Sequence, residues 1–88
     1  MKILSIDAWR DGDGWTWNNW HDCGSMDKAT FEALEGNARK MLAWFRSEGY
    51  LRADSAGKCA IDDDGHNVVI LNRATGEPVF AIEYGPEY

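Results

Sequence analysis

The segment from Phe31 to Phe45 constrains the fold most, because its apolar residues recur at steps of three and four. The residues are Phe31, Leu34, Ala38, Met41 or Leu42, and Phe45. This spacing predicts one apolar stripe on an amphipathic helix of about six turns. Gly36 and Asn37 interrupt it, since glycine disfavours a helix interior and asparagine is a good N-cap. One long or kinked helix and two shorter helices both fit, with Ser25 or Asp27 as the first N-cap.

The segments on either side of this stripe have the patterns of β-strands. Leu4–Trp9 and Trp15–His21 flank the turn-forming run 11–14, so we predict that they pair as a hairpin. Three more strands follow the helix, at Cys59–Ile61, Val68–Leu71 and Val79–Tyr84. The run 62–65 and the segment 74–78 supply turn residues between them. Val68–Leu71 is apolar at every position, which is typical of a central strand.

An apolar helix stripe has to be buried, and the sheet offers the one large apolar surface. We therefore predict an α+β fold with an antiparallel sheet of about five strands, in the order ββα(α)βββ, and the helix on one face. The residues expected beneath the helix are Ile6, Ile61, Ile70 and Ile82, or their strand neighbours. A chain of 88 residues is too short to divide, so residues 1–88 are expected to form a single compact domain.

The net charge of −6 is unevenly distributed along the chain. Residues 1–27 carry −3, residues 28–58 carry +2 and residues 59–88 carry −5. The acidic flanks disfavour binding of nucleic acid over the whole surface. On the helix, Arg39, Lys40 and Arg46 lie off the apolar stripe. We interpret them as a solvated face, and a phosphate-binding patch is the alternative.

Four tryptophans lie within twelve residues of the first hairpin, interleaved with polar side chains. The candidate partner-binding residues are Trp9, Arg10, Trp15, Trp17, Asn18, Asn19 and Trp20. Trp15 and Trp17 share one face of a strand. If that face is exposed, the indoles could serve as hot spots for a protein partner or as a platform for single-stranded bases. The third interpretation is that the rings simply enlarge a thin core.

Sites for metals, cofactors and catalysis are not predicted. His21, Cys23, Cys59 and His66 have the residue types for zinc but lack the usual ligand spacing. The aspartates of 11–13 and 62–64 fail the pattern of a calcium loop and are interpreted as turn formers. No nucleophile elbow, phosphate loop or zinc-protease motif is present, and Cys23 beside His21 lacks the geometry of a nucleophile with its base. We expect no enzyme activity and no cofactor.

Several segments resemble small proteins of gokushovirus-type microviruses, which are tailless phages with single-stranded DNA genomes. The resemblance is carried by Ser5–Trp9, Trp15–Trp20, Gly49–Leu51, Val68–Ile70 and Glu77–Ile82. It implies a phage accessory protein that acts in the cytoplasm of a bacterial host. It carries over no functional residues.

The sequence thus favours a non-enzymatic protein that binds a protein partner in the bacterial cytoplasm. An acidic inhibitor or modulator of host nucleic-acid machinery is one form of this hypothesis. A single-stranded nucleic-acid binder and a self-associating assembly factor, for example a homodimer, are the alternatives. Asp7 interrupts the apolar start of the chain and no apolar run is long enough to span a bilayer, so we expect neither a signal peptide nor membrane binding. Both cysteines are expected to stay reduced.

Overall fold

A computed structural model of the chain describes residues 1–52 and 57–84. Its elements are β1 (Lys2–Asp11), β2 (Gly14–Ser25), α1 (Lys28–Leu34), α2 (Ala38–Ser47), β3 (Cys59–Asp63), β4 (Asn67–Asn72) and β5 (Pro78–Glu83). This order confirms the predicted α+β class. The apolar stripe belongs to two separate short helices, so the alternative of one long helix is wrong.

The break between the helices follows from local backbone chemistry. Gly36 adopts a φ of 77°, a left-handed conformation that side chains disfavour. Asn37 then caps α2, with its side-chain oxygen accepting a hydrogen bond from the Lys40 amide at 3.1 Å. Asp27 caps α1 in the same way, accepting from the Thr30 amide at 3.2 Å. The predicted choice between Ser25 and Asp27 is therefore resolved in favour of Asp27.

The five described strands form one antiparallel sheet in the order β2-β1-β5-β4-β3. β1 meets β5 at three positions, where Ile3, Leu4 and Ser5 pair with Ile82, Ala81 and Phe80. Beyond Ser5, β1 pairs with β2 alone. Residues 6–20 therefore leave the sheet as a two-stranded ribbon, which we call the hairpin arm. The predicted pairing of the two strands of this hairpin is confirmed.

The main core lies between the sheet and the two helices. Ile3, Ile70 and Ile82 line the sheet side, with Met41 and Phe45 opposite. Aromatic rings extend this core, with Phe45 5.4 Å from Tyr50 and 6.0 Å from Phe80 between centroids. The predicted positions Ile61, Ile70 and Ile82 do contact it, but Ile6 does not. Ile3 takes that place because β1 remains in the sheet only as far as Ser5.

The second face of the sheet carries a smaller row of buried residues. Leu4, Ala81 and Val69 are cross-strand neighbours on β1, β5 and β4. All three are buried, yet none belongs to the core beneath the helices. Val68, Val69 and Ile70 are therefore buried in succession, which confirms that this apolar run is a central strand covered on both faces.

Candidate functional site on the hairpin arm

The hairpin arm is built from two long strands joined by the two-residue turn Gly12-Asp13. Gly12 has a φ of 62°, which a residue without a β-carbon adopts readily. Next to the turn, the Thr16 hydroxyl donates to the Asp11 carboxylate at 2.7 Å. Two register shifts interrupt the pairing nearer the sheet, opposite Ile3–Leu4 and Ser5–Asp7. Such bulges bend the bulged strand and increase the local twist.

Trp15 ties the tip of the arm back to the body of the protein. Its indole Nε1 donates to the backbone carbonyl of Thr75, in the turn between β4 and β5, at 2.8 Å. The same ring lies against Gly76, where a β-carbon would sit 3.8 Å from the indole. The Arg10 guanidinium stands 5.1 Å from the centroid of the Trp15 ring, within reach of a cation–π interaction. Trp15 is half-buried and acts as an anchor.

Trp9 and Trp17 are the large apolar side chains that the arm leaves in water. Their exposed fractions are 45% and 38%. Trp17 pairs with Ala8 and Trp9 pairs with Thr16, so the two indoles occupy neighbouring rungs of the ladder. Successive residues of a strand point to opposite faces, so Trp9 and Trp17 lie on opposite sides of the arm. Each face of the arm therefore presents one exposed indole.

The other predicted site residues are placed unequally. Arg10 and Trp15 form a pair on the ladder and share a face with Trp17, two positions further along β2. Trp20 is half-buried near the second register shift. The side chains of Asn18 and Asn19 lie outside what the structure describes, although both residues belong to β2. Trp15 and Trp17 were predicted to be equivalent rings of one platform. They are not equivalent, because Trp15 is anchored and Trp17 is exposed.

The surroundings of the exposed indoles are acidic. The arm carries Asp7, Asp11 and Asp13 and one cation, Arg10. Asp7 lies 3.0 Å from Nε2 of His21, and both side chains are well exposed. A contact between two side chains this exposed contributes little to stability.

The cysteines and histidines are not arranged as a metal or nucleophile site. Cys23 lies on β2 and Cys59 on β3, at opposite edges of the sheet and about 19 Å apart at the usual strand spacing. Burial raises the pKa of both thiols, and Asp22 further raises the pKa of Cys23. The Cys23 thiol donates to the Ile3 carbonyl at 3.4 Å, whereas His21 faces Asp7. No group of three or more potential metal ligands occurs within residues 1–52 and 57–84.

Sequence reasoning missed the anchor of the arm. The acceptor for Trp15 is a backbone carbonyl sixty residues away in the chain, and a main-chain group leaves no mark in the sequence. The length of the arm was not predicted either. Strand patterns indicate which residues pair in the hairpin, but they do not indicate where the pairing of β1 with β5 ends. The concentration of tryptophans was the one signal that pointed to this region.

No protein-family model, curated protein or solved structure matches this chain. In the portion that the structure describes, neither helix has the length and apolar character needed to cross a bilayer.

Proposed function

We propose that this protein is a non-enzymatic binding module that captures a protein partner with its hairpin arm. The observation that carries the proposal is the exposure of Trp9 and Trp17 on a ribbon that has left the sheet. Exposed indoles cost solvation free energy, and tryptophan is among the residues most enriched in binding hot spots. If these rings served only to pack the protein's own core, they would lie in the main core, where Phe45 and Phe80 are instead found.

The charge of the arm supports a particular kind of partner. The exposed indoles stand among three aspartates, so the complementary surface is an apolar pocket with a basic rim. Such surfaces occur on proteins that bind nucleic acid, where carboxylates can stand in for phosphates. An acidic modulator of host nucleic-acid machinery would act in this way, and the resemblance to microvirus proteins implies that it would do so in the bacterial cytoplasm.

A direct test compares the wild type with Trp9→Ala and Trp17→Ala. The protein is immobilised, a bacterial lysate is passed over it, and the retained protein is identified, purified and titrated against each variant. We expect at least one tryptophan variant to bind about thirtyfold more weakly, the loss typical of a hot spot. Lys28→Ala on α1, away from the arm, is the matched control and should bind as the wild type does.

Equal affinity of the wild type and both tryptophan variants would refute the proposal. Circular dichroism checks that each variant is folded. Trp15 is unsuitable for this test because its hydrogen bond to Thr75 makes it part of the framework.

Self-association is a second candidate, favoured by the free edge of the sheet. β2 is twelve residues long and lies at the end of the strand order, so its outer backbone groups have no neighbouring strand among the residues described. Two copies could pair along this edge. Sedimentation velocity over a range of concentrations separates this candidate from capture of a different protein.

A further inference from the structure

A cavity of about 620 Å³ lies between α2 and the turn that joins β4 to β5. Its lining residues are Ala38, Arg39, Leu42, Arg46, Gly57 and Arg73. Half of them are arginines, and none of these described lining residues carries a carboxylate. The three guanidinium groups give this cavity a positively charged lining, although the protein as a whole has a net charge of −6.

The fold brings these arginines together from two distant parts of the chain. Arg39 and Arg46 are seven residues apart on α2, which places them on one face of the helix about 10 Å apart along its axis. Arg73 comes from the β4–β5 turn, and its guanidinium donates to the Cys59 carbonyl at 3.1 Å. That hydrogen bond positions Arg73 opposite the helix without neutralising its charge.

The arginines lack acidic partners within the described chain. The ion pairs there join Lys2 to Asp22, His21 to Asp7 and Lys28 to Glu32, all away from this cavity. Arg46 is half-buried, and its Nε is fully buried without a hydrogen-bond acceptor. A cation withdrawn from water without a counter-ion is costly, so the site is stabilised when an anion enters.

We propose that this cavity binds a ligand with two or more phosphoryl groups. The guanidinium fork offers paired donors that match phosphate oxygens, and arginines from two elements would grip neighbouring phosphoryl groups. The separation of Arg39 and Arg46 favours an extended polyanion over a single phosphate. Such groups can come from a free polyphosphate or nucleotide, or from the phosphodiester backbone of a nucleic acid.

The test is calorimetric titration of the full-length protein at low salt with orthophosphate, tripolyphosphate and a short oligothymidylate. We expect tripolyphosphate to bind more tightly than orthophosphate, and binding to weaken as salt is added. Tighter binding of the oligothymidylate than of tripolyphosphate would identify the backbone as the source, and the reverse order would identify a small ligand.

Arg39→Gln is the decisive variant, because Arg39 is exposed and its loss leaves the core intact. It should weaken binding of tripolyphosphate about tenfold, as expected for a lost charge-assisted hydrogen bond. Arg46→Gln should do the same, provided that it folds. Lys40→Gln is the matched control, since it removes the same charge from α2 outside the cavity lining, and it should change affinity less than twofold. Failure of tripolyphosphate to bind, or an equal loss in Lys40→Gln, would overturn the proposal.

Discussion

The two halves of the β1–β2 hairpin show how differently one pair of strands can be used. Near the sheet, Ile3 lies fully buried beneath the helices, and Gly24 on β2 sits under the Tyr50 ring. In the arm, Trp9 and Trp17 are exposed, and Trp15 donates a side-chain hydrogen bond to the turn between β4 and β5. The first half is held by packing in the core, whereas the arm is anchored through Trp15.

This difference assigns separate tasks to the two halves. An isolated two-stranded hairpin is marginally stable in water, so the arm depends on the folded base for its shape. The exposed rings of the arm contribute no comparable stability to the base. Substitutions at the base should therefore change the stability of the whole domain, whereas substitutions at the exposed indoles should change binding.

The largest expected effect is that of Phe45→Ala, which we compare with Trp17→Ala. Phe45 is fully buried and contacts Trp44, Tyr50 and Phe80, so its loss should lower the free energy of unfolding by about 3–5 kcal/mol. Trp17→Ala should change it by less than about 1 kcal/mol, although tryptophan is the larger residue. Urea denaturation measures both values. Equal losses in the two variants would show that the arm is part of the core.

A smaller effect is expected from two glycine substitutions on β2. A β-carbon at Gly24 would overlap the Tyr50 hydroxyl, so Gly24→Ala must displace that ring from its place beside Phe45. We expect a loss of about 1–3 kcal/mol in the free energy of unfolding. Gly14→Ala is the matched control, because the nearest atom to its β-carbon would be 4.0 Å away, and it should change stability by less than about 0.5 kcal/mol. A neutral Gly24→Ala would mean that Tyr50 does not lie against β2.

The base of the hairpin could be predicted from sequence much better than the arm. Periodicity predicted the apolar stripe and the strands, because burial of one face requires apolar residues at a regular spacing. It placed Ile6 in the core instead of Ile3, since Leu4, Ile6 and Ala8 alternate as regularly as a buried face would. The choice between Ile3 and Ile6 depends on how far β1 pairs with β5. This is a property of tertiary pairing that local spacing does not indicate.

The candidate sites show the same limit. The cluster of tryptophans was visible in the sequence. The sequence did not indicate which ring is anchored, because the acceptor is the backbone carbonyl of Thr75. The cations of α2 were visible too, and a solvated face was the natural interpretation for them. Arg73 comes from a distant turn and lines one cavity with two of these cations, which residue spacing on α2 does not indicate.

The smallest expected effect concerns Tyr84, which closes the helix-covered side beyond the end of β5. Its hydroxyl donates to the Asp63 carboxylate, and its ring lies 5.0 Å from that of Phe31. This hydrogen bond, with partial burial and nearby acidic charges, raises the pKa of Tyr84 to about 12. Because the pKa in the folded state exceeds that of the unfolded state, about 10, the stabilisation is complete below pH 10 and is lost as the pH rises towards 12.

Thermal unfolding of the wild type and Tyr84→Phe across this pH range measures that contribution. The wild type should unfold at the higher temperature at neutral pH, and its advantage should shrink between pH 10 and 12, since deprotonation leaves a phenolate facing a carboxylate. Asp63→Asn, which keeps an acceptor but removes the charge, should lower the pKa of Tyr84 and move the loss to lower pH, as followed by phenolate absorbance. The arm lies on another part of the sheet, so Trp17→Ala should leave this profile unchanged. A shift in that variant would show that the arm and the helix-covered side are coupled, and that the base and the arm do not have separate roles.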